Sequence, residues 1–280
     1  MVDQGFDVVA IVCDQGASNR TAYKKLGVTT KNPYINTNER RIFCFYDVVH
    51  LFKSIRNNLL VSNIQINEEV SWSILKKLFY AENQIIRSMH NLTEAHIKPD
   101  NFQKMRVKLA TQVFSHHVST AIFAAASTNL FNNQEKEIAL STANFIFKLN
   151  KLFDNMNSTN KFSKNPDKCA LSIDQTNIFE NLKQSVEWIK QWKRQKSGSV
   201  YCFSGLCQTI NGTLQLWEAI RGENQQYLIT SHLNSDCLEN TISVVRNNRG
   251  MYVLMFVVLI HMFVVSNSLQ ILFFIYKQVV

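Results

Sequence analysis

The chain has 280 residues, 46% of them hydrophobic and 18% charged, with eight glycines and three prolines. This is a globular composition, long enough for one large or two modest cores, and it excludes a low-complexity or disordered chain. A net charge of +9 favours a polyanionic partner without identifying it.

Residues 8–13 form a continuous, largely β-branched run that ends at Asp14-Gln15-Gly16. Such a run predicts a strand buried on both faces and then a turn. A short helix is expected from Ser18 through Lys25, stopped by Gly27 just past its end. Residues 41–46 predict a second buried strand, and residues 47–60 a basic amphipathic helix. The β-α-β-α order with apolar strands indicates a layered α/β sheet. From Glu68 onward the pattern is helical, with apolar residues at helical spacing over 70–90, 105–130 and 138–153. Residues 155–174 are polar and loop-like, 179–194 helical, and 198–205 a break. A short helix over 214–220 and an extended segment over 227–230 follow. A helix over 233–245 would carry Asp236 and Glu239 on one face. Residues 251–265 are apolar, Ser266-Asn267-Ser268 interrupts them, and a second apolar run reaches Tyr276.

Asp47 closes a buried strand, which suits it either to cap the next helix or to serve as a hard oxygen ligand for a divalent cation. His50, on the first helical turn after it, is placed to support that carboxylate. Other acids that stand out are Asp154 beside Asn157, and Asp236 with Glu239. Carboxylates from a strand end and a distant helix can meet in an α/β fold to hold two cations that clamp a phosphodiester exchange. His116 and His117 point about 100° apart on a helix and are not expected to share a metal. No GxSxG, HExxH or GxxxxGK[ST] motif occurs. The six cysteines form no CxxC pair, and Cys13 and Cys44 lie in apolar strands, so reduced buried thiols are expected. Met1-Val2-Asp3 opens no apolar signal segment.

Five ordered blocks carry a resemblance to P-element-type transposases and their relatives with a THAP DNA-binding domain. The first is Val9-Ala10-Ile11-Val12-Cys13-Asp14-Gln15-Gly16 with Asn19-Arg20. The most specific runs from Tyr46 to Leu59, an Asp-x-x-His-Leu-x-Lys-x-x-Arg-Asn-Asn-Leu pattern. Residues 105–115, Phe153-Asp154-Asn155-Met156-Asn157-Ser158, and residues 230–239 complete the set. The resemblance implies an RNase H-like α/β core interrupted by an all-helical GTP-binding insertion. Its parts would be core at 1–66, insertion at 67–225, the core's C-terminal helix at 226–250, and an atypical apolar tail at 251–280. Asp47 and Glu239 would be catalytic Mg²⁺ ligands; Asp154, Asn157 and Asp236, with Lys104 and Lys108, would contact GTP. Lys53, Arg56 and Arg246 would track DNA phosphates at transposon ends, in a nuclear protein able to form homo-oligomers.

Two departures qualify the implied DDE/D-type nucleotidyl transfer. The match begins at what resembles the family's third core strand, so the first catalytic acid is expected to be missing and the chain to be truncated and inactive. The alternative is a non-catalytic DNA- or partner-binding derivative acting as a repressor. The tail supplies 15 apolar residues before its polar break, short of the about 20 needed to span a bilayer. An aberrant terminus is therefore expected in preference to a membrane anchor.

Overall fold

The computed structural model describes residues 8–37, 40–82, 88–196, 198, 200–223 and 225–236, with the backbone of 261–264 and 270–273. In chain order the elements are β1 (Ala10–Cys13), α1 (Ala17–Lys25), β2 (Tyr34–Asn36), β3 (Arg41–Tyr46), α2 (Val48–Val61), β4 (Ile64–Gln65), β5 (Glu69–Val70) and α3 (Trp72–Ala81). Then come α4 (Glu94–Ile97), α5 (Asn101–Met105), α6 (Val107–Val113), α7 (His116–Ala126) and α8 (Asn133–Met156). A 3₁₀ turn at Pro166–Lys168, β6 (Leu171–Ser172), α9 (Thr176–Lys190), β7 (Lys193–Arg194), α10 (Tyr201–Ile220) and β8 (Tyr227–Leu228) follow. A second 3₁₀ turn at Thr230–Leu233 precedes β9 (His261–Val264) and β10 (Gln270–Phe273). The chain divides into two compact units: residues 1–48, 154–187 and 204–280, and residues 49–153 with 188–203.

In the first unit, β1 pairs in parallel with β3, Ala10 opposite Phe43 and Cys13 opposite Tyr46. The three-residue β2 pairs antiparallel with the other edge of β3, giving the order β1-β3-β2. Because β2 is so short, the outer edge of β3 has no strand partner at Tyr46 among the described residues, and α10 supplies hydrogen-bonding groups there. The Thr209 hydroxyl donates to the Tyr46 carbonyl (2.8 Å) and accepts from its N–H (2.9 Å). Gln208 Nε2 donates to the Cys44 carbonyl (3.3 Å). This satisfies backbone groups that would be costly to bury unpaired. Gly212 lets α10 approach: a Cβ there would lie 2.8 Å from the Phe45 ring. Gly27, at φ +75°, ends α1 in the left-handed region. β6 and β8 form a small antiparallel pair, as do β9 and β10.

The second unit packs helices around an aromatic chain. Phe52 meets Phe114 and Phe153, Phe114 meets Phe145, and Phe145 meets Trp188 and Trp192, with ring centroids 5.0–6.4 Å apart. Such tilted and edge contacts suit the ring quadrupoles.

Several expected elements differ. The second unit is not all-helical, because β4 pairs with both β5 and β7. The helix expected over 70–90 ends at Ala81. That over 105–130 breaks at Phe114–Ser115, where the Ser115 hydroxyl caps α7 by accepting from the Val118 N–H. The end of the 179–194 helix becomes strand β7. The break expected at 198–205 gives way from Tyr201 to α10, a 20-residue helix that continues through Gly205 and Gly212. Packing on the sheet overrides the low helix propensity of glycine there.

Candidate functional site

Asp47 stands one residue past β3, and its N–H donates to the Cys13 carbonyl (2.8 Å), which extends the β1–β3 ladder to that position. The side chain is 1% exposed. Its Oδ2 accepts from the Ser235 N–H (2.9 Å) and from the Ser235 hydroxyl. Charge-assisted bonds of this kind offset the cost of burying a carboxylate.

Ser235 is presented by the 3₁₀ turn at Thr230–Leu233, which is locked to the end of α8. The Thr230 hydroxyl donates to the Asn155 carbonyl (2.8 Å) and accepts from the Ser158 N–H (2.9 Å). With its one proton so used, the 2.9 Å contact between the two hydroxyls makes Ser158 the donor. Ser158 Oγ in turn accepts from the Thr230 N–H (3.1 Å). Asn234 Nδ2 donates to Asn157 Oδ1 (2.9 Å) and Asp236 Oδ2 (3.3 Å). Thr230, Ser158 and Asn155 are all buried. The motif at 153–158 and the block at 230–236 therefore form one hydrogen-bonded assembly, with Asp47 at its end.

This brings Asp47, Asn157 and Asp236 into one network. Asp154, a residue before it on α8, is 3.8 Å from Lys168 Nζ. Asp236 is exposed. Lys104 and Lys108 belong to the second unit, half-buried and exposed respectively, and Lys53 is half-buried on α2. Glu239 and Arg246 lie outside the described residues. Arg56 is 0% exposed, and its Nη2 donates to the Lys104 carbonyl (3.1 Å). His116 and His117 are separated by their neighbours, His116 packing on Phe147 and His117 on His90. Ser235, Thr230, Ser158 and Lys168 are the residues that sequence reasoning passed over; short hydroxyls inside otherwise distinctive blocks were the available signal.

Of the two carboxylates implied to hold Mg²⁺, Asp47 is described and Glu239 lies outside the described residues. Asp47 Oδ2 already accepts two bonds, and no group of three His, Cys, Asp or Glu gathers among the described residues. One carboxylate by itself supplies too few oxygen ligands to hold a divalent cation.

Residues 49–169 match the family described as TNP-like, GTP-binding insertion domain. Over 257 residues the chain is 28% identical to the Transposable element P transposase of Drosophila melanogaster, covering 89% of this chain and 34% of that protein. It is 30% identical over 175 residues to the human DNA transposase THAP9, covering 58% of this chain and 18% of that protein. A solved chain of the Drosophila P element transposase strand transfer complex matches with a TM-score of 0.79 and 25% identity, over 90% of this chain and 57% of that one. The chain is similar to P-element-type transposases over most of its length. It spans about a third of the fly transposase and less of the human one. The matched insertion segment contains Lys104, Lys108, Asp154 and Asn157 and begins two residues after Asp47.

Proposed function

We propose that this chain is the portion of a P-element-type transposase that joins part of an RNase H-like, DNA-acting core to a guanine-nucleotide-binding insertion. The observation that carries the reading is the match of residues 49–169 to a GTP-binding insertion domain, within a chain similar over 90% of its length to a transposase structure. In this reading Asp154, Asn157 and Asp236 are nucleotide-recognising residues, and Lys104 and Lys108 are basic candidates within the matched insertion segment. Lys53 and Arg246, with the general positive charge, follow DNA phosphates in a nuclear protein. Ser235 holds the Asp47 carboxylate in one orientation, and Asn234 ties Asn157 to Asp236. A signal at the nucleotide contacts would thereby reach the segment that grips Asp47.

Equilibrium binding of a fluorescent GTP analogue to the purified chain tests this. Saturable binding weakened at least tenfold by Asp154→Ala supports it; no binding by the unaltered chain ends it.

A second reading, a non-catalytic DNA-binding derivative, draws on Asp47 itself, whose Oδ2 is taken up by Ser235. Strand transfer on transposon-end DNA with Mg²⁺, lost in Asp47→Ala, favours the catalytic reading. DNA binding without strand transfer favours the derivative.

A further inference from the structure

β1 has two edges, and β3 occupies one of them. The Phe43 N–H donates to the Val9 carbonyl (2.9 Å), and the Asp47 N–H donates to the Cys13 carbonyl (2.8 Å). Backbone groups point to alternate sides along a strand. Residues 9, 11 and 13 therefore turn their N–H and C=O groups toward β3, and Ala10 and Val12 turn theirs toward the opposite edge. Among the described residues β3 is the one hydrogen-bonded neighbour of β1, since the strand order is β1-β3-β2. Ala10 and Val12 are nevertheless each 0% exposed. Water does not reach that edge, so something lies over it. An open strand edge is a template for pairing with another strand, and folds blunt it by covering it.

Backbone from the C-terminal apolar segment lies beside it. β10 runs next to β1, with Cα atoms of the two strands within 8 Å. Stacked sheets sit about 10 Å apart and neighbouring strands about 4.8 Å apart, so this approach is closer than face-to-face stacking allows. β10 also pairs antiparallel with β9, Gln270 opposite Val264 and Phe273 opposite His261. Both strands are rich in residue types that favour strands (Phe263, Val264, Ile271 and Phe273), and Ser266-Asn267-Ser268 between them are turn formers. Each strand is four residues long. No helix among the described residues is long and apolar enough to cross a membrane.

We propose that the outer edge of β1 is a strand-docking surface and that its occupant is this chain's own β9–β10 pair. The apolar character of the segment is then explained by what it covers inside the fold. This interaction involves none of the residues assigned above to nucleotide or DNA.

Residue-resolved amide exchange, followed by NMR on the full chain, tests the assignment. In the unaltered chain the Ala10 and Val12 amides are expected to exchange slowly, as are those of Ile11 and Cys13. Ile271→Pro combined with Leu272→Pro removes backbone donors from β10, and deletion of 251–280 removes the pair altogether. Both changes are expected to speed exchange at Ala10 and Val12 by about tenfold or more, while Ile11 and Cys13, held by β3, keep their rates. Fast exchange at Ala10 and Val12 in the unaltered chain overturns the proposal. So do unchanged rates in both altered chains, or equal acceleration at all four amides. Flotation of the unaltered chain with phosphatidylcholine vesicles, lost on deletion of 251–280, also overturns it, because the segment would then be a lipid anchor. Should neither altered chain fold by circular dichroism, benzoylphenylalanine at position 271 of the otherwise unaltered chain decides. Photocrosslinks to residues 8–14 of the same chain support the assignment; crosslinks to a second copy, or only to other segments, overturn it.

Discussion

At the scale of single residues, Asp47 and Arg56 show opposite outcomes of one motif. Both lie in the Asp-x-x-His-Leu-x-Lys-x-x-Arg stretch, and both are buried charges. Asp47 is matched by two donors on Ser235, whereas Arg56 is matched only by carbonyls of α5. The special character of the motif was legible in the sequence, because an acid at a strand end and an arginine among leucines break the apolar pattern. Their partners were not legible, since Ser235 is 188 positions from Asp47 and Lys104 is 48 from Arg56. Ser235→Ala should destabilise the chain by about 1.5–3 kcal/mol, the usual worth of a hydrogen bond to a charged group, measured by urea unfolding. A change below about 0.5 kcal/mol would mean that the backbone N–H of residue 235 alone holds Asp47.

At the scale of elements, α10 does work that strands usually do. Thr209 stands in for a strand neighbour at Tyr46, so Thr209→Val leaves both backbone groups of Tyr46 buried and unpaired. A loss of roughly 2–4 kcal/mol is expected from calorimetry or urea titration. Thr213 is a control on the same helix, since its hydroxyl only back-bonds to the Thr209 carbonyl (3.0 Å). Thr213→Val should cost less than about 1 kcal/mol, because the helix already uses that carbonyl. Gly212→Ala sets two effects against each other. Alanine gains about 1 kcal/mol of helix propensity, while crowding of the Phe45 ring costs about 1–3 kcal/mol. A net fall in melting temperature is expected, and a rise would show that the ring moves aside freely. Sequence reading placed a break at 198–205, between Gly198 and Gly205, yet α10 begins at Tyr201 and runs on through Gly212, whose small size the Phe45 ring requires.

At the scale of the whole molecule, charge and buried thiols set the response to solution conditions. With a net charge of +9, any DNA affinity should fall steeply with salt, and log K plotted against log salt should be linear. A flat plot would place the cations away from the nucleic acid. Cys13, Cys44, Cys169, Cys202 and Cys207 are buried thiols outside any disulfide, while Cys237 lies outside the described residues. Burial pushes the thiols of Cys13, Cys44 and Cys202 from 9.0 up to about 12. The folded state therefore holds these protons more tightly than the unfolded state. Their contribution is fully present below pH 9 and is lost as pH rises from 9 toward 12. Urea midpoints should fall over that interval, and native thiols should react slowly with a disulfide reagent until urea is added. A midpoint that stays flat from pH 8 to 10 would show that these thiols are exposed.

The sequence alone determined what is written locally. Strands at β1 and β3, the stop of α1 at Gly27, and the helical character of the long central segment follow from side-chain periodicity and backbone preference, which neighbouring residues decide. It also marked the blocks that matter, through residue types out of keeping with a packed core. Only the tertiary structure decided what those residues touch. Asp47 is held by a serine, Arg56 is turned inward onto a helix end, and the two polar motifs at 153–158 and 230–236 satisfy each other. The reason is that a buried polar group must find a partner wherever the fold supplies one, and that supply depends on segments far apart along the chain.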